Sequence, residues 1–92
     1  MKIHLRNPYW GAWKEFGWQK GDYGIGISES KLNQALASKE RLEITIGASD
    51  KVYSIDPVYF IKKALSLNAK YTAKDDTKLL LIPISYLETF KL

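Results

Sequence analysis

Residues 23–57 read YGIGISESKLNQALASKERLEITIGASDKVYSIDP and carry the clearest hydrophobic periodicity of the chain. Apolar side chains alternate with glycine over residues 23–27, which is the period-two pattern of a β-strand. Ser28 suits the N-cap of a helix that ends near Lys39. Residues 42–46 alternate apolar with polar side chains again. The stretch therefore predicts a strand, a helix and a second strand in succession.

A hairpin and a second helix are predicted next. Residues 47–50 favour a tight turn, and residues 51–55 are predicted to form the returning strand. Asp56 and Pro57 indicate a helix start, because the carboxylate can cap the helix and proline suits its first position. The helix is expected to run over residues 58–67.

The two ends of the chain add further elements. Residues 69–73 and 78–82 are predicted to form a second hairpin, and residues 2–6 a short N-terminal strand. Ser85 and Glu88 match a capping box, which predicts a short terminal helix. From residue 23 the order is strand, helix, strand, strand, helix, strand, as in a split βαβ arrangement. The sequence thus predicts an α+β fold with an antiparallel or mixed sheet.

Length and composition favour one cytoplasmic domain. A chain of 92 residues has material for a single core, so residues 1–92 are expected to form one domain. It contains no cysteine, which excludes disulfides and thiolate metal sites and favours a reducing compartment. No apolar run has the length of a membrane span, so no membrane association is expected. The net charge of +4 favours anionic partners.

The two faces of the predicted sheet have different compositions. One face is expected to lie under both helices. The shared core is predicted to contain Ile27, Leu36, Leu42, Ile44, Ile55, Phe60, Ile61, Leu65 and Leu80. The other face is small and polar, and is predicted to carry Gly24, Gly26, Glu43, Thr45, Val52, Ser54, Lys70 and Thr72.

Residues 9–18, the aromatic segment, hold five of the twelve aromatic residues and all three tryptophans. Gly11 and Gly17 weaken helix formation by about 1 kcal/mol each, so a loop with a single helical turn is expected. Two interpretations remain open. The rings can cover the bare backbone of Gly24 and Gly26 as a lid, or they can stay accessible as a binding surface.

The binding interpretation favours nucleic acid. Aromatic rings stack on bases with about 1 to 3 kcal/mol per base, and lysines neutralise phosphates. The aromatic and basic residues predicted to contact single strands or the backbone are Trp10, Trp13, Lys14, Trp18, Lys20, Lys62, Lys63 and Lys70. Residues 51–55 lack the paired aromatic side chains of an RNA-recognition motif. The alternative is a protein-binding module or a homodimer that uses the aromatic segment, since interface centres are enriched in tryptophan and tyrosine.

Catalysis is not expected from this sequence. His4 is the only histidine and lies on the polar side of the predicted first strand, so it has no partners for a triad or a zinc site. Asp22, Glu29 and Lys31 match the spacing of metal-dependent nucleases, which is a second and weaker alternative, because Glu29 falls in the first turn of a helix. No catalytic residue, metal site or small-molecule cofactor is predicted.

Overall fold

The computed structural model describes all 92 residues, Met1–Leu92, and confirms the α+β class. The strands are β1 (Lys2–Leu5), β2 (Gly24–Ser28), β3 (Leu42–Ile46), β4 (Tyr53–Ile55), β5 (Lys70–Thr72) and β6 (Lys78–Pro83). The helices are α1 (Ala12–Phe16), α2 (Glu29–Ser38), α3 (Pro57–Ser66) and α4 (Ile84–Leu87), followed by a 3-10 turn over Glu88–Phe90. The predicted order of elements after residue 23 is therefore confirmed. None of the helices has the length and apolar character needed to span a membrane.

The six strands form two three-stranded sheets rather than one. The first sheet has the order β1-β3-β4, with β1 parallel to β3, and the second has the order β2-β6-β5 and is antiparallel throughout. In a single split βαβ sheet β2 would pair with β4, but both of these edges have other partners. Gly24 exchanges two backbone hydrogen bonds with Tyr9, each 2.9 Å long. The C-terminal residues cover the β4 side, where Leu92 N donates to Val52 O at 2.9 Å.

Local capping signals position the two main helices as predicted. The Ser28 hydroxyl accepts a hydrogen bond from Lys31 N at 3.2 Å and caps α2. The Asp56 carboxylate accepts from Val58 N at 2.8 Å, with Pro57 as the first residue of α3. These side chains satisfy backbone N–H groups that have no partner inside the helix.

The main core lies between α2, α3 and the inner faces of both sheets. Of the predicted core residues, Ile27, Leu42, Ile44, Ile55, Phe60 and Leu80 are buried, and Ile61 is partly buried against them. Two expectations were wrong: Leu36 is 38% exposed and Leu65 is 49% exposed. The buried positions of their helices are taken by Leu32 and Ala35 in α2 and by Phe60 and Ala64 in α3. Leu36 and Leu65 thus flank these apolar stripes and face outward.

A second, smaller core covers the other face of the β2-β6-β5 sheet. It is centred on the buried side chains of Ala12, Ala69 and Leu81. We expected this face to be polar, but in this sheet it is apolar. Lys70 is opposite Leu80, a main-core residue, so Lys70 lies on the helix side and not on the face predicted for it. Its neighbour Tyr71 takes the place on the second core.

The terminal helix α4 forms without the predicted capping box. Its N-cap is Pro83, which has no side chain able to accept a hydrogen bond. The Asp22 carboxylate accepts from Ser85 N at 3.2 Å instead. Glu88 does not reach back along the helix and accepts a hydrogen bond from the Tyr53 hydroxyl at 2.9 Å. Long-range contacts thus replace the local capping pattern.

Candidate nucleic-acid interface

The aromatic segment is bonded to the edge of the second sheet at its start and closed by a hydrogen bond of its own at its end. At its start, Tyr9 is bridged to Gly24 at the edge of β2. The short helix α1 follows and ends at Gly17, whose φ of 71° belongs to the left-handed region that glycine adopts without steric cost. Trp18 N then donates to Trp13 O at 2.9 Å. The predicted loop with a single helical turn is therefore confirmed.

Part of the aromatic segment acts as a lid. Ala12 is completely buried, and Phe16 and Trp18 pack against the same apolar cluster. The rings of Phe16 and Trp18 lie 5.4 Å apart between centroids. A Cβ atom built on Gly24 would meet Trp18 Cζ3 at 3.6 Å, so that ring lies over the bare strand. The lid interpretation is supported for this half of the segment.

The indole N–H group of Trp18 is left without a hydrogen bond in this arrangement. Its Nε1 atom is buried and has no hydrogen-bond partner. An unpaired buried N–H group loses its bonds to water without replacement, which costs about 1 to 3 kcal/mol. Trp18 is half-buried and packs its ring against the second core, while its indole nitrogen is left without a hydrogen-bond partner.

Tyr9 joins the lid to the strand β5. Its ring lies 5.2 Å from the ring of Tyr71, and its hydroxyl donates a hydrogen bond of 2.5 Å to the Glu15 carboxylate. This hydrogen bond, together with burial and the negative charge of Glu15, raises the pKa of Tyr9 to about 12. The contact ties α1 to the start of the aromatic segment.

The other half of the segment stays accessible. Trp10 is 62% exposed, and its ring lies 4.9 Å from that of Tyr23 at an interplanar angle of 59°. Trp13 is half-buried, and the ammonium group of Lys14 lies 5.3 Å from the centre of its ring. Lys20 is exposed in the turn after Trp18. Trp10, Trp13, Lys14 and Lys20 are the predicted site residues that belong to this open part.

The remaining lysines of the predicted site lie on the helix side of the molecule. Lys62 is exposed on α3, which packs on the opposite face of the sheet from α1. The ammonium group of Lys63 lies 5.0 Å from the centre of the Tyr86 ring. Lys70 borders a groove between α2 and α3, together with Asn33 and Leu65. The structure does not bring these three lysines together with Trp10 into one surface.

The residues considered for metal chemistry have separate structural roles and do not form one site. Asp22 is engaged with Ser85, and Glu29 begins α2. The His4 Nδ1 atom lies 2.9 Å from the Thr45 hydroxyl on the outer face of the first sheet. No group of three or more histidine, cysteine, aspartate or glutamate side chains is arranged to hold a metal ion.

Sequence reasoning missed the roles of two residues, Ala12 within the aromatic segment and Tyr23 outside it. Ala12 lies between tryptophans in the sequence and shows no signal of its own. Its small side chain allows the segment to approach Gly24 closely. The alternation around Tyr23 predicts only a strand, because its contact with Trp10 joins residues that are distant along the chain. One signal was available for the second core: residues 79–82 are four apolar residues in a row, a pattern typical of a strand buried on both faces.

Comparisons with protein-family models, with curated proteins and with solved structures find no match to this chain.

Proposed function

We propose that the protein binds single-stranded nucleic acid through the open part of the aromatic segment, and that it acts by binding rather than by catalysis. One observation carries the proposal: Trp10 is 62% exposed, yet its ring is held against Tyr23 at 4.9 Å. A large aromatic ring that is both exposed and supported offers a preformed platform for a base. Stacking of this kind contributes about 1 to 3 kcal/mol per base and requires no particular base sequence.

The charges near Trp10 support an anionic ligand. Lys14 and Lys20 are exposed, and neither belongs to the two ion pairs of the molecule, which are Lys51 with Glu88 and the N-terminal amine with Glu40. The nearby Glu15 carboxylate is engaged by the Tyr9 hydroxyl. Both lysines are thus available to the phosphates of a bound strand. The lack of cysteine favours a reducing interior, so we propose that binding occurs in the cytoplasm.

Fluorescence titration with a single-stranded oligonucleotide tests the proposal. Stacking on Trp10 is expected to quench tryptophan emission, and the affinity is expected to fall as salt is raised, because lysines displace counterions from phosphates. Trp10→Ala should remove most of the quenching, weaken binding of the oligonucleotide and leave the melting temperature almost unchanged. Tyr59→Ala is the matched control, because Tyr59 is 54% exposed on α3, away from the aromatic segment, and its removal should leave binding intact.

The titration also separates this function from the alternative. Equal affinity of the wild-type protein and Trp10→Ala for the oligonucleotide would contradict the proposal. If no oligonucleotide binds at low salt and Trp10→Ala instead abolishes a concentration-dependent dimer, the exposed tryptophan is a protein contact. Exposed tryptophan is also frequent at the centre of protein interfaces, and this property supports that alternative.

A further inference from the structure

Strand β1 has one free edge. It is hydrogen-bonded only to β3, so its other side meets no strand. Glu43 N donates to Met1 O at 2.9 Å, and Gly47 N donates to Leu5 O at 2.8 Å. Successive residues of a strand direct their backbone groups to opposite sides. The N–H and C=O groups of Lys2 and His4 therefore point away from β3, at the open edge.

The outer face beside this edge carries the positive charges of Lys2 and Arg6 as well as the negative charge of Glu43. Lys2 and His4 are exposed on that face, and Arg6 is exposed directly after the strand. Lys2 is the cross-strand neighbour of Glu43, but the two side chains form no ion pair. A groove of about 400 Å³ runs across this face and is lined by Lys2, Ile3, His4, Glu43, Thr45 and Val52.

The inner side of the same edge is apolar and incompletely covered. Ile3 is buried in the main core, whereas Met1 and Leu5 are only partly buried against it. A strand added beside β1 would place alternate side chains over Met1 and Leu5. Its other side chains would lie next to Lys2 and His4.

We infer that the free edge of β1 binds an extended peptide segment in which acidic and apolar side chains alternate. The backbone groups of Lys2 and His4 supply the hydrogen bonds, and the two faces select the side chains, as in other cases of strand addition to a sheet edge. Charge argues against a second copy as the occupant. Antiparallel pairing of two β1 strands in the register that sets Lys2 beside Arg6 of the other copy would bring like charges directly opposite each other, which is destabilising. This site is separate from the aromatic segment and does not depend on the nucleic-acid proposal.

Anisotropy of a fluorescent hexapeptide that alternates glutamate and valine tests the inference. We expect this peptide to bind and its lysine and valine counterpart not to bind. His4→Pro removes the outward N–H group without removing a hydrogen bond to β3, and proline is tolerated on edge strands. It should weaken peptide binding about tenfold, whereas His4→Ala, which keeps the N–H group, should change it much less.

A second measurement uses the wild-type protein alone. Methylation of alternate peptide amides blocks one side of the added strand, so one of the two methylation patterns should abolish binding and the other should preserve it. Equal binding of the acidic and basic peptides, or equal effects of the two methylation patterns, would overturn the inference. A dimer that forms without peptide and is lost in His4→Pro would assign the edge to a second copy and would also overturn it.

Discussion

The methyl group of Ala12 occupies the space that a side chain on Gly24 would need. A Cβ atom built on Gly24 would lie 2.8 Å from Ala12 Cβ and 2.8 Å from Leu81 Cδ2, closer than nonbonded carbon atoms approach. The aromatic segment therefore rests on the backbone of β2 itself. This close approach explains how a helix of five residues can be fixed on the sheet.

Gly24→Ala is expected to destabilise the protein by about 1 to 3 kcal/mol, the usual cost of overfilling a packed core. Urea denaturation followed by circular dichroism measures the change. Gly26→Ala is the matched control, because its Cβ would meet Leu81 Cγ at 3.4 Å and no closer atom. Equal losses of stability in the two variants would contradict the close packing of Ala12 on Gly24.

The tryptophans of the lid and of the open surface should respond differently to truncation. Trp18→Ala is expected to lower the free energy of unfolding by about 1 kcal/mol or more, because its half-buried ring packs against the second core. Trp10→Ala should change it by less than about 0.5 kcal/mol, as is usual for exposed positions. Thermal and urea unfolding of both variants provide the comparison, and a reversed order of stabilities would refute the assignment of lid and surface.

Stability should decrease in alkaline solution through Tyr53. Burial, and next the hydrogen bond to Glu88, raise the pKa of Tyr53 from its ordinary value of 10.0 to about 12. A phenol with a raised pKa contributes stability that is complete below the unfolded value and is lost as the pH rises through the folded value. The free energy of unfolding should therefore fall between about pH 10 and pH 12.

Replacement of the two shifted tyrosines checks the origin of this pH dependence. Tyr9 has a similarly raised pKa, chiefly through its hydrogen bond to Glu15. Urea unfolding of the double variant Tyr9→Phe with Tyr53→Phe should show a much flatter decline of stability between pH 10 and pH 12 than the wild-type protein. An unchanged decline would assign the alkaline sensitivity to other groups.

Asp22 is expected to stabilise the C-terminal helix rather than to support chemistry. Its carboxylate accepts a hydrogen bond from Ser85 N in the first turn of α4. Asp22→Ala should cost about 0.5 to 2 kcal/mol, as the loss of a helix-capping side chain does. Glu29→Ala is a useful comparison, because no hydrogen bond or ion pair involves that side chain, and it should cost less. Hydrogen exchange of the α4 amides provides a local measure of the effect.

The main core shows which buried residues could be predicted from the local hydrophobic pattern and which could not. A charge at Ile44 would be buried without a partner, so Ile44→Asp is expected to unfold the domain, as the strand alternation alone predicted. The same periodicity placed Leu36 and Leu65 inside, although both are substantially exposed. A helical period defines a stripe, but the width of the stripe that is covered depends on how closely the neighbouring helix packs.

The sequence by itself determined the order and type of the elements. Ser28 and Asp56 cap backbone N–H groups only two or three residues further along the chain. Strand alternation is likewise visible within a few consecutive residues, so both features can be recognised from a short stretch of sequence. Only the tertiary structure decided the division into two sheets and whether each tryptophan packs on the sheet or lies at the surface. Strand pairing uses backbone groups that every residue carries, and a ring becomes lid or surface only when distant Gly24, Leu81 or Tyr23 comes to lie beside it.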